Sequence, residues 1–248
     1  MKLLALDTAT ESCSVALRIG GEVLVRRHPG ARQQTAVVLP LVQALLAEAG
    51  VTLAQLDAIA CTHGPGAFTG VRVAVSVTQG LAFGAGLPAI GVSTLAALAQ
   101  QAVRVAGAQS VLPALDARMG ELYAGVYAVN SDGAVNSDGA VNSDGAVSDD
   151  GVVDALQADR LCRPEDFAGA VPAGHAWVAI GSGWAAYPPA QLGVQPASVL
   201  AGEPDAEDVL VLAVRAWHRN EAQPAEQLQP VYLRDTVAWK KLDEQGKR

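Results

Sequence analysis

Short apolar runs and helically spaced apolar residues divide the first hundred residues into strands and helices. The segments KLLALD, SCSVALRI and GEVLVRR predict three strands, the last two joined at Gly20-Gly21, a pair suited to a tight hairpin. Residues 34–49 keep helical spacing of apolar positions. The runs AIACT and PAIGV predict two further strands, followed by helices over about 69–85 and 94–106. This order is typical of an α/β domain with a mixed sheet.

The pattern restarts after Gly107 and predicts a second α/β domain. The segments SVLPALDA, ELYAGVYAV and AWVAIG predict strands, and residues 204–220 predict a helix whose first turn carries acidic side chains that complement the helix dipole. We therefore predict two domains, 1–107 and 108–248. The second includes a repeat loop over 130–151 and the C-terminal tail.

The repeat is NSDGAV, present three times over residues 130–147. Each copy is made of turn-forming residues with little apolar mass, which predicts an expanded hairpin loop. A calcium site at Asp132, Asp138 and Asp144 is the alternative, but their spacing of six residues matches no known loop with converging oxygens.

Charge and cysteine usage narrow the function classes. Seventeen basic against twenty-five acidic residues give a net charge of −8, which argues against this chain holding a nucleic-acid backbone by itself. Cys13, Cys61 and Cys162 are widely spaced, which argues against a disulfide framework or a zinc site.

The apolar run at the N-terminus is too short for a signal peptide. The charge-free stretch 73–103 is interrupted by Pro and Gly, so we expect helix, strand and helix inside a domain rather than a membrane span.

Two small polar segments are candidates for ligand binding. Asp7 ends the first predicted strand, and Thr8 and Thr10 follow it, so this turn can offer hydroxyls and amides to a phosphate; the alternative is that these side chains only satisfy the turn. Gly64 and Gly66 in GPGAFTGVR permit close approach of a backbone to a ligand. The loop lacks the Gly-Lys-Ser/Thr ending of a P-loop, so it can equally serve to position the helix that follows.

That helix carries a continuous stripe of small residues. They recur at successive i+4 positions: Gly70, Ala74, Thr78, Ala82 and Gly86. The remaining positions are largely apolar, and a helix that is apolar all round must be covered on every side. The stripe therefore predicts close packing against another backbone, from this chain or from a partner.

Four segments in the same order resemble the bacterial TsaB family, also called YeaZ. They are LLALDTATESCSVAL, GPGAFTGVRVAVSVTQGLA, PAIGVSTLAALA and PVYLRDTVAWKK. The resemblance covers nearly the whole chain apart from the repeat. It implies an actin-like, Hsp70-like (ASKHA) fold of two α/β domains, each with a mixed sheet flanked by helices. It also implies a role in forming the threonylcarbamoyl group on the tRNA adenosine next to the anticodon.

The resemblance also implies that this chain is not the catalyst. In the catalytic paralogue, TsaD, a His-x-x-x-His pair follows the strand equivalent to PAIGV and binds the metal. Here GVSTLAALA offers Ser93, Thr94 and Leu98, which have no imidazole, so we expect no metal site and no catalytic residues. The implied nucleotide site is degenerate and consists of five positions: Asp7, Thr8, Thr10, Gly64 and Gly66.

The implied partners are a TsaD-type catalytic paralogue and a TsaE-type ATPase, with a homodimer when the chain is alone. We assign the interface to the stripe of small residues on the helix over about 69–85, with Arg72 at the edge of this apolar surface. The interface residues are Gly70, Arg72, Ala74, Thr78 and Ala82. We expect this protein to contact tRNA only through the complex, and to be cytoplasmic without membrane contact. We expect no tightly bound cofactor; the alternative is ATP or ADP bound at the interface of the complex. The alternative function is a glycoprotease-like metallopeptidase, although the chain has neither His-Glu-x-x-His nor Gly-x-Ser-x-Gly.

Overall fold

Two five-stranded mixed sheets with the same strand topology form the framework of the protein. The computed structural model describes residues 1–30, 33–129 and 151–234. The first sheet contains β1 (Lys2–Asp7), β2 (Cys13–Ile19), β3 (Glu22–His28), β4 (Ala58–Thr62) and β5 (Ala89–Val92), in the order β3-β2-β1-β4-β5. The first three strands form an antiparallel meander, and β4 and β5 run parallel to β1. The predicted mixed sheet is confirmed.

The second sheet repeats this arrangement as β8-β7-β6-β9-β10. Its strands are β6 (Ser110–Arg118), β7 (Glu121–Val129), β8 (Val153–Cys162), β9 (Val178–Ile180) and β10 (Ser198–Leu200). Two edge strands, β8 and β10, were not predicted from the sequence. The middle of β8, residues 155–158, is exposed on both faces, so its sequence lacks the apolar alternation that marks a half-buried strand.

Helices cover both faces of the first sheet. The helices of the described residues are α1 (Gln34–Ala49), α2 (Phe68–Ala85), α3 (Thr94–Ala106), α4 (Ser182–Ala186), α5 (Pro189–Leu192) and α6 (Ala206–His218). Of these, α4 packs on β6 of the second sheet. Helices α1 and α2 share a hydrophobic cluster with one face of the sheet, and α3 and α6 share another with the opposite face. Helix α3 also packs on the second sheet and therefore lies between the two sheets.

Local sequence signals account for the ends of these helices. The Ser93 hydroxyl accepts hydrogen bonds from the amides of Leu95 and Ala96 and caps α3, so Ser93 rather than Thr94 is the cap. Asp205 caps α6 in the same way by accepting from the Glu207 amide. Helix α2 begins at Phe68 and has no side-chain cap, contrary to the Thr69 start suggested by the sequence.

Helix α6 returns to the first sheet. The Ala206 amide donates to the Ser14 hydroxyl at 2.8 Å, and after the helix Gln223 pairs with Ala89 at the edge of β5. The predicted division into 1–107 and 108–248 therefore separates the two sheets but not this helix, which belongs to the core of the first domain.

The charge-free stretch lies within the described residues, whereas the repeat does not. Residues 130–147 lie outside the described residues, and the strands on either side, β7 and β8, pair antiparallel with Val129 opposite Val153. The charge-free stretch divides into α2, β5 and α3. Within the described ranges, no helix combines the length and apolar character needed to cross a membrane.

Candidate functional site

The turn after β1 holds a fully buried carboxyl. Oδ1 of Asp7 accepts hydrogen bonds from the Thr62 hydroxyl at 2.6 Å and from the Ala9 amide at 3.3 Å. Oδ2 is buried and has no hydrogen-bond partner among the described residues. Burial raises the pKa of Asp7 to about 7, and the carboxylates of Asp205 and Glu203 add to the increase.

The two threonines of this turn use their hydroxyls within the chain. Thr8 donates to the Gly70 carbonyl at 2.7 Å. Thr10 donates to the Glu203 carboxylate at 3.2 Å, and the Ser12 amide reaches the same oxygen at 3.2 Å. A carboxylate in this place would repel a phosphate, so the geometry favours a structural role for the turn. Nucleotide binding at Asp7, Thr8 and Thr10 stays a prediction.

The glycine loop packs backbone to backbone against the same turn. A Cβ atom on Gly66 would lie 2.6 Å from the Ala9 carbonyl oxygen, and one on Gly70 would lie 2.0 Å from the Thr8 oxygen. The Ala67 amide donates to the Ala9 carbonyl at 2.8 Å. Gly66 and Gly70 are therefore required because the backbone after β1 lies directly against the loop and the start of α2. This packing accounts for both glycines without ligand binding.

Gly64 faces a different neighbour. Its φ is +121°, a conformation that favours glycine, and a Cβ atom here would lie 2.3 Å from the Val231 carbonyl oxygen. The sequence identified the loop but not the C-terminal segment that lies against it. Nothing in GPGAFTGVR indicates which distant backbone it contacts.

The small stripe of α2 faces this chain's own core. The residues Gly70, Ala74, Thr78 and Ala82 are buried in the described structure, and α2 packs there on the first sheet. Of the two readings that the sequence left open, the burial therefore supports packing within the chain, and it corrects the assignment of these four residues to a surface for a partner. Arg72 lies on the exposed side. Gly86 ends the helix in a left-handed conformation.

The opposite side of α2 carries a second stripe of small residues, which is exposed. Ser76, Gly80 and Gly84 follow one another at i+4 spacing, and a Cβ atom on either glycine would meet nothing within 4 Å. Two exposed phenylalanines flank it, Phe68 at 59 % and Phe83 at 76 %. We call this surface, residues Phe68, Arg72, Ser76, Gly80, Phe83 and Gly84, the exposed α2 face. Both stripes have the same spacing, so the sequence alone could not tell which one faces outward.

Ser93, Thr94 and Leu98, the residues that the resemblance aligns with the paralogue's metal pair, make their contacts within this chain. Ser93 donates to the Asp159 carboxylate at 2.5 Å, and the Tyr127 hydroxyl donates to the same group at 2.8 Å. Burial raises the pKa of Asp159, and these two hydrogen bonds oppose the increase. Thr94 and Leu98 are fully buried. Across the described residues, no three His, Cys, Asp or Glu side chains are grouped so that they could hold a metal ion.

Comparison with known proteins places the chain in a family. It is 41 % identical over 246 residues to the tRNA threonylcarbamoyladenosine biosynthesis protein TsaB of Escherichia coli K12, and the match covers 98 % of each protein. The chain belongs to the TsaB family. The chain is also 38 % identical over 245 residues to the TsaB protein of Haemophilus influenzae, and the match covers 98 % of this chain and 97 % of that protein. The family model described as TsaD, tRNA N6-adenosine threonylcarbamoyltransferase, matches residues 28–242.

A solved structure described as YeaZ from Pseudomonas aeruginosa superimposes on the chain with a TM-score of 0.82 at 42 % identity. The superposition covers 94 % of this chain and 99 % of that one. Together with the two mixed sheets flanked by helices, this likeness to a TsaB-family structure confirms the predicted actin-like fold.

Proposed function

We propose that this TsaB-family chain is a non-catalytic subunit in the formation of threonylcarbamoyl-adenosine in tRNA. It acts as the dimerisation partner and scaffold of a TsaD-type catalytic paralogue, together with a TsaE-type ATPase. The relatives named for this biosynthesis in Escherichia coli and Haemophilus influenzae support the pathway.

The exposed α2 face is the observation that carries the scaffold role. Phe68 and Phe83 leave large aromatic surfaces in water, and between them Ser76, Gly80 and Gly84 form a shallow groove of small side chains. Such a groove lets a second helix approach closely, and aromatic side chains are frequent anchors of interfaces. Because the chain has no charge between Arg72 and Arg104, Arg72 is the one charged residue of this face, and the remainder of the face would bury apolar and small side chains on association.

The same face serves two assemblies in this proposal. When the chain is alone, two copies pair through it as a homodimer. The TsaD-type paralogue, whose first domain has the same fold by resemblance, takes the place of one copy. The two assemblies then exclude each other, so homodimer and heterodimer compete for one surface.

The catalytic and RNA-binding work falls to the other subunits. Ser93, Thr94 and Leu98 stand where the paralogue has its metal-binding pair, and the net charge of −8 disfavours a phosphate backbone. The tRNA is contacted through the complex, and no cofactor binds tightly to this chain alone; ATP or ADP at the complex interface remains part of the proposal. We place the protein in the cytoplasm.

Replacing Gly80 with arginine tests the interface. Its matched control is Gly169→Arg, since Gly169 is also exposed with open space around its Cβ position. Burying an unpaired charge costs several kcal/mol, and each 1.4 kcal/mol is tenfold in affinity, so Gly80→Arg should weaken binding to the paralogue at least about a hundredfold. Circular dichroism should show both variants folded.

The readout is tRNA modification in a mixture of this chain, the TsaD-type and TsaE-type proteins, an adenylate-forming enzyme, tRNA, threonine, bicarbonate and ATP. The wild type and Gly169→Arg should support modification, and Gly80→Arg should not. A folded Gly80→Arg that binds the paralogue normally would remove the exposed α2 face from the interface. Modification of tRNA by this chain alone would overturn the non-catalytic role.

A further inference from the structure

The C-terminal segment of the described chain crosses from one domain to the other. It starts at Leu228, whose carbonyl accepts a hydrogen bond from the Gln79 side chain on α2 at 2.8 Å. It ends at Arg234, whose side chain contacts the hairpin between β6 and β7 in the second domain. We call residues 228–234 the C-terminal strap.

The first half of the strap lies against the glycine loop. The Val231 amide donates to the His63 carbonyl at 2.7 Å, and the His63 ring hydrogen-bonds to the backbone of Gln229. The Val231 carbonyl occupies the space that any side chain at Gly64 would fill, with 2.3 Å between that oxygen and an added Cβ atom. The loop is therefore shaped to receive a peptide backbone, and the backbone it receives is that of its own chain.

The middle of the strap packs on the N-terminal end of α2. Nε of Arg72 donates to the Tyr232 hydroxyl at 2.7 Å. The same guanidinium lies 3.6 Å above the centre of the Phe68 ring, and the Phe68 and Tyr232 ring centres are 5.8 Å apart. The attraction between the guanidinium and the ring faces adds to the hydrogen bond that holds Tyr232 on α2.

The last residue of the strap is fixed to the second domain. Nη2 of Arg234 donates to the Glu121 carboxylate at 2.6 Å and to the Ala117 carbonyl at 3.1 Å. The hairpin that it contacts has two non-glycine residues in the left-handed region, Arg118 with φ +62° and Met119 with φ +58°. The Arg234 side chain is 19 % exposed, so this ion pair is shielded more than a typical surface pair.

Other contacts between the domains run along α3, which donates from Ser93 to Asp159 and shares a hydrophobic cluster with the second sheet. Gln100 on α3 hydrogen-bonds to the backbone of Gly151 and Val153, and Arg215 on α6 donates to the Val153 carbonyl. Val153 pairs with Val129 at the far end of β7, roughly 25 Å along the strand from the hairpin that Arg234 holds. None of these hydrogen bonds involves the β6–β7 hairpin, which Arg234 joins to the first domain.

We propose that the C-terminal strap is a clasp that holds the two domains at a fixed angle by occupying the glycine loop at one end and the β6–β7 hairpin at the other. It bridges the two domains by a covalent part of the chain. The proposal does not depend on the partner or the pathway. It assigns a role to the PVYLR sequence and explains why Gly64 must be glycine.

Arg234→Ala in the full chain tests the clasp, with Arg163→Ala as control. Arg163 is 71 % exposed, and its pair with Glu165 is 4.0 Å long. Two measurements are made on each protein. Hydrogen exchange reports the Val231 amide, and electron paramagnetic resonance reports the distance between spin labels on Ala54→Cys in the first domain and Gln191→Cys in the second. The labels are placed in a Cys162→Ser background and diluted with unlabelled protein.

The expected result for Arg234→Ala is exchange of the Val231 amide at least about tenfold faster and a broader distribution of distances between the domains. Arg163→Ala should match the wild type in both. Glu121→Gln, which weakens the same anchor without shortening a side chain, should act in the same direction and replaces Arg234→Ala if that variant does not fold. Faster exchange with an unchanged distance distribution would show a loosely attached terminus rather than a clasp. No change in either measurement would show that the anchor does not hold the strap, and both outcomes overturn the proposal.

Discussion

Asp7→Asn isolates the energetic effect of the buried carboxyl at the end of β1. Burial raises the pKa of Asp7 from 3.8 to about 7, a change of about three units. One unit corresponds to 1.36 kcal/mol, so ionising this group in the folded protein costs about 4 kcal/mol relative to the unfolded chain. Asparagine cannot ionise, and it keeps an oxygen that accepts from the Thr62 hydroxyl and the Ala9 amide.

The sign of the pH dependence follows from which state binds the proton. Between about pH 4 and pH 7 the folded protein keeps the Asp7 proton while the unfolded chain has lost it, so the wild type loses stability as the pH rises through this window. Above about pH 7 the loss is complete. Asp7→Asn should therefore be more stable than the wild type by up to about 4 kcal/mol at about pH 8, and the difference should shrink toward pH 4.

Urea unfolding followed by circular dichroism at several pH values from about 4 to about 8 measures this difference. Taking the variant minus the wild type cancels the titration of groups that do not interact with Asp7. Asp166→Asn, at an exposed carboxyl, serves as the control and should show a small difference that does not follow this curve. A stability difference for Asp7→Asn that is flat with pH would refute the reasoning, since it would mean that Asp7 has the same pKa in the folded and unfolded states.

Two pairs of substitutions test the packing around α2 and α6. Gly70→Ala should destabilise the protein by about 1–3 kcal/mol because its Cβ atom would lie 2.0 Å from the Thr8 carbonyl oxygen. Gly80→Ala, in open space on the same helix, should stabilise it by up to about 1 kcal/mol. Equal effects of the two substitutions in thermal melts would contradict the assigned faces of α2. Arg104→Met leaves the fully buried Asp208 without the guanidinium that donates to both of its oxygens, and should lower the free energy of unfolding in urea by about 3–5 kcal/mol. Arg18→Met, at a site where the guanidinium donates to a backbone carbonyl, is the control and should change it little. An Arg104→Met protein as stable as the wild type would show that this ion pair does not compensate the burial of Asp208.

The parts of the fold that sequence could predict are those buried on both faces or amphipathic along their length. The helix over residues 34–49 and the strand AIACT have the bounds that their apolar patterns indicate. Edge strands β8 and β10 were not predicted because an exposed strand needs no alternation of apolar and polar residues, and the middle of β8 and most of β10 are exposed. Short helices α4 and α5 are too brief to show a helical period.

The segments that form the candidate site could be predicted from the sequence, but the contacts between them could not. The glycine loop and the turn after β1 were both identified, and only the structure shows that Gly66 and Gly70 lie against that turn while Gly64 lies against Val231. Both faces of α2 carry small residues at i+4 spacing, so local pattern cannot decide which one the sheet covers. That choice is made by tertiary packing, where Ala74 and Ala82 fit against the first sheet and Gly80 does not.

The two sheets share one strand order, yet the helices laid over them differ in length. The first sheet carries the long α2, which follows β4, while α4 and α5, which follow the corresponding strand β9 of the second sheet, have only five and four residues. Within the described residues, the second sheet therefore has no counterpart of the exposed α2 face. A self-complementary surface present once gives a closed pair about a twofold axis and leaves no second surface for further copies to join. A fold of the actin type need not polymerise, and here the asymmetry between the halves would limit growth through this face to two subunits.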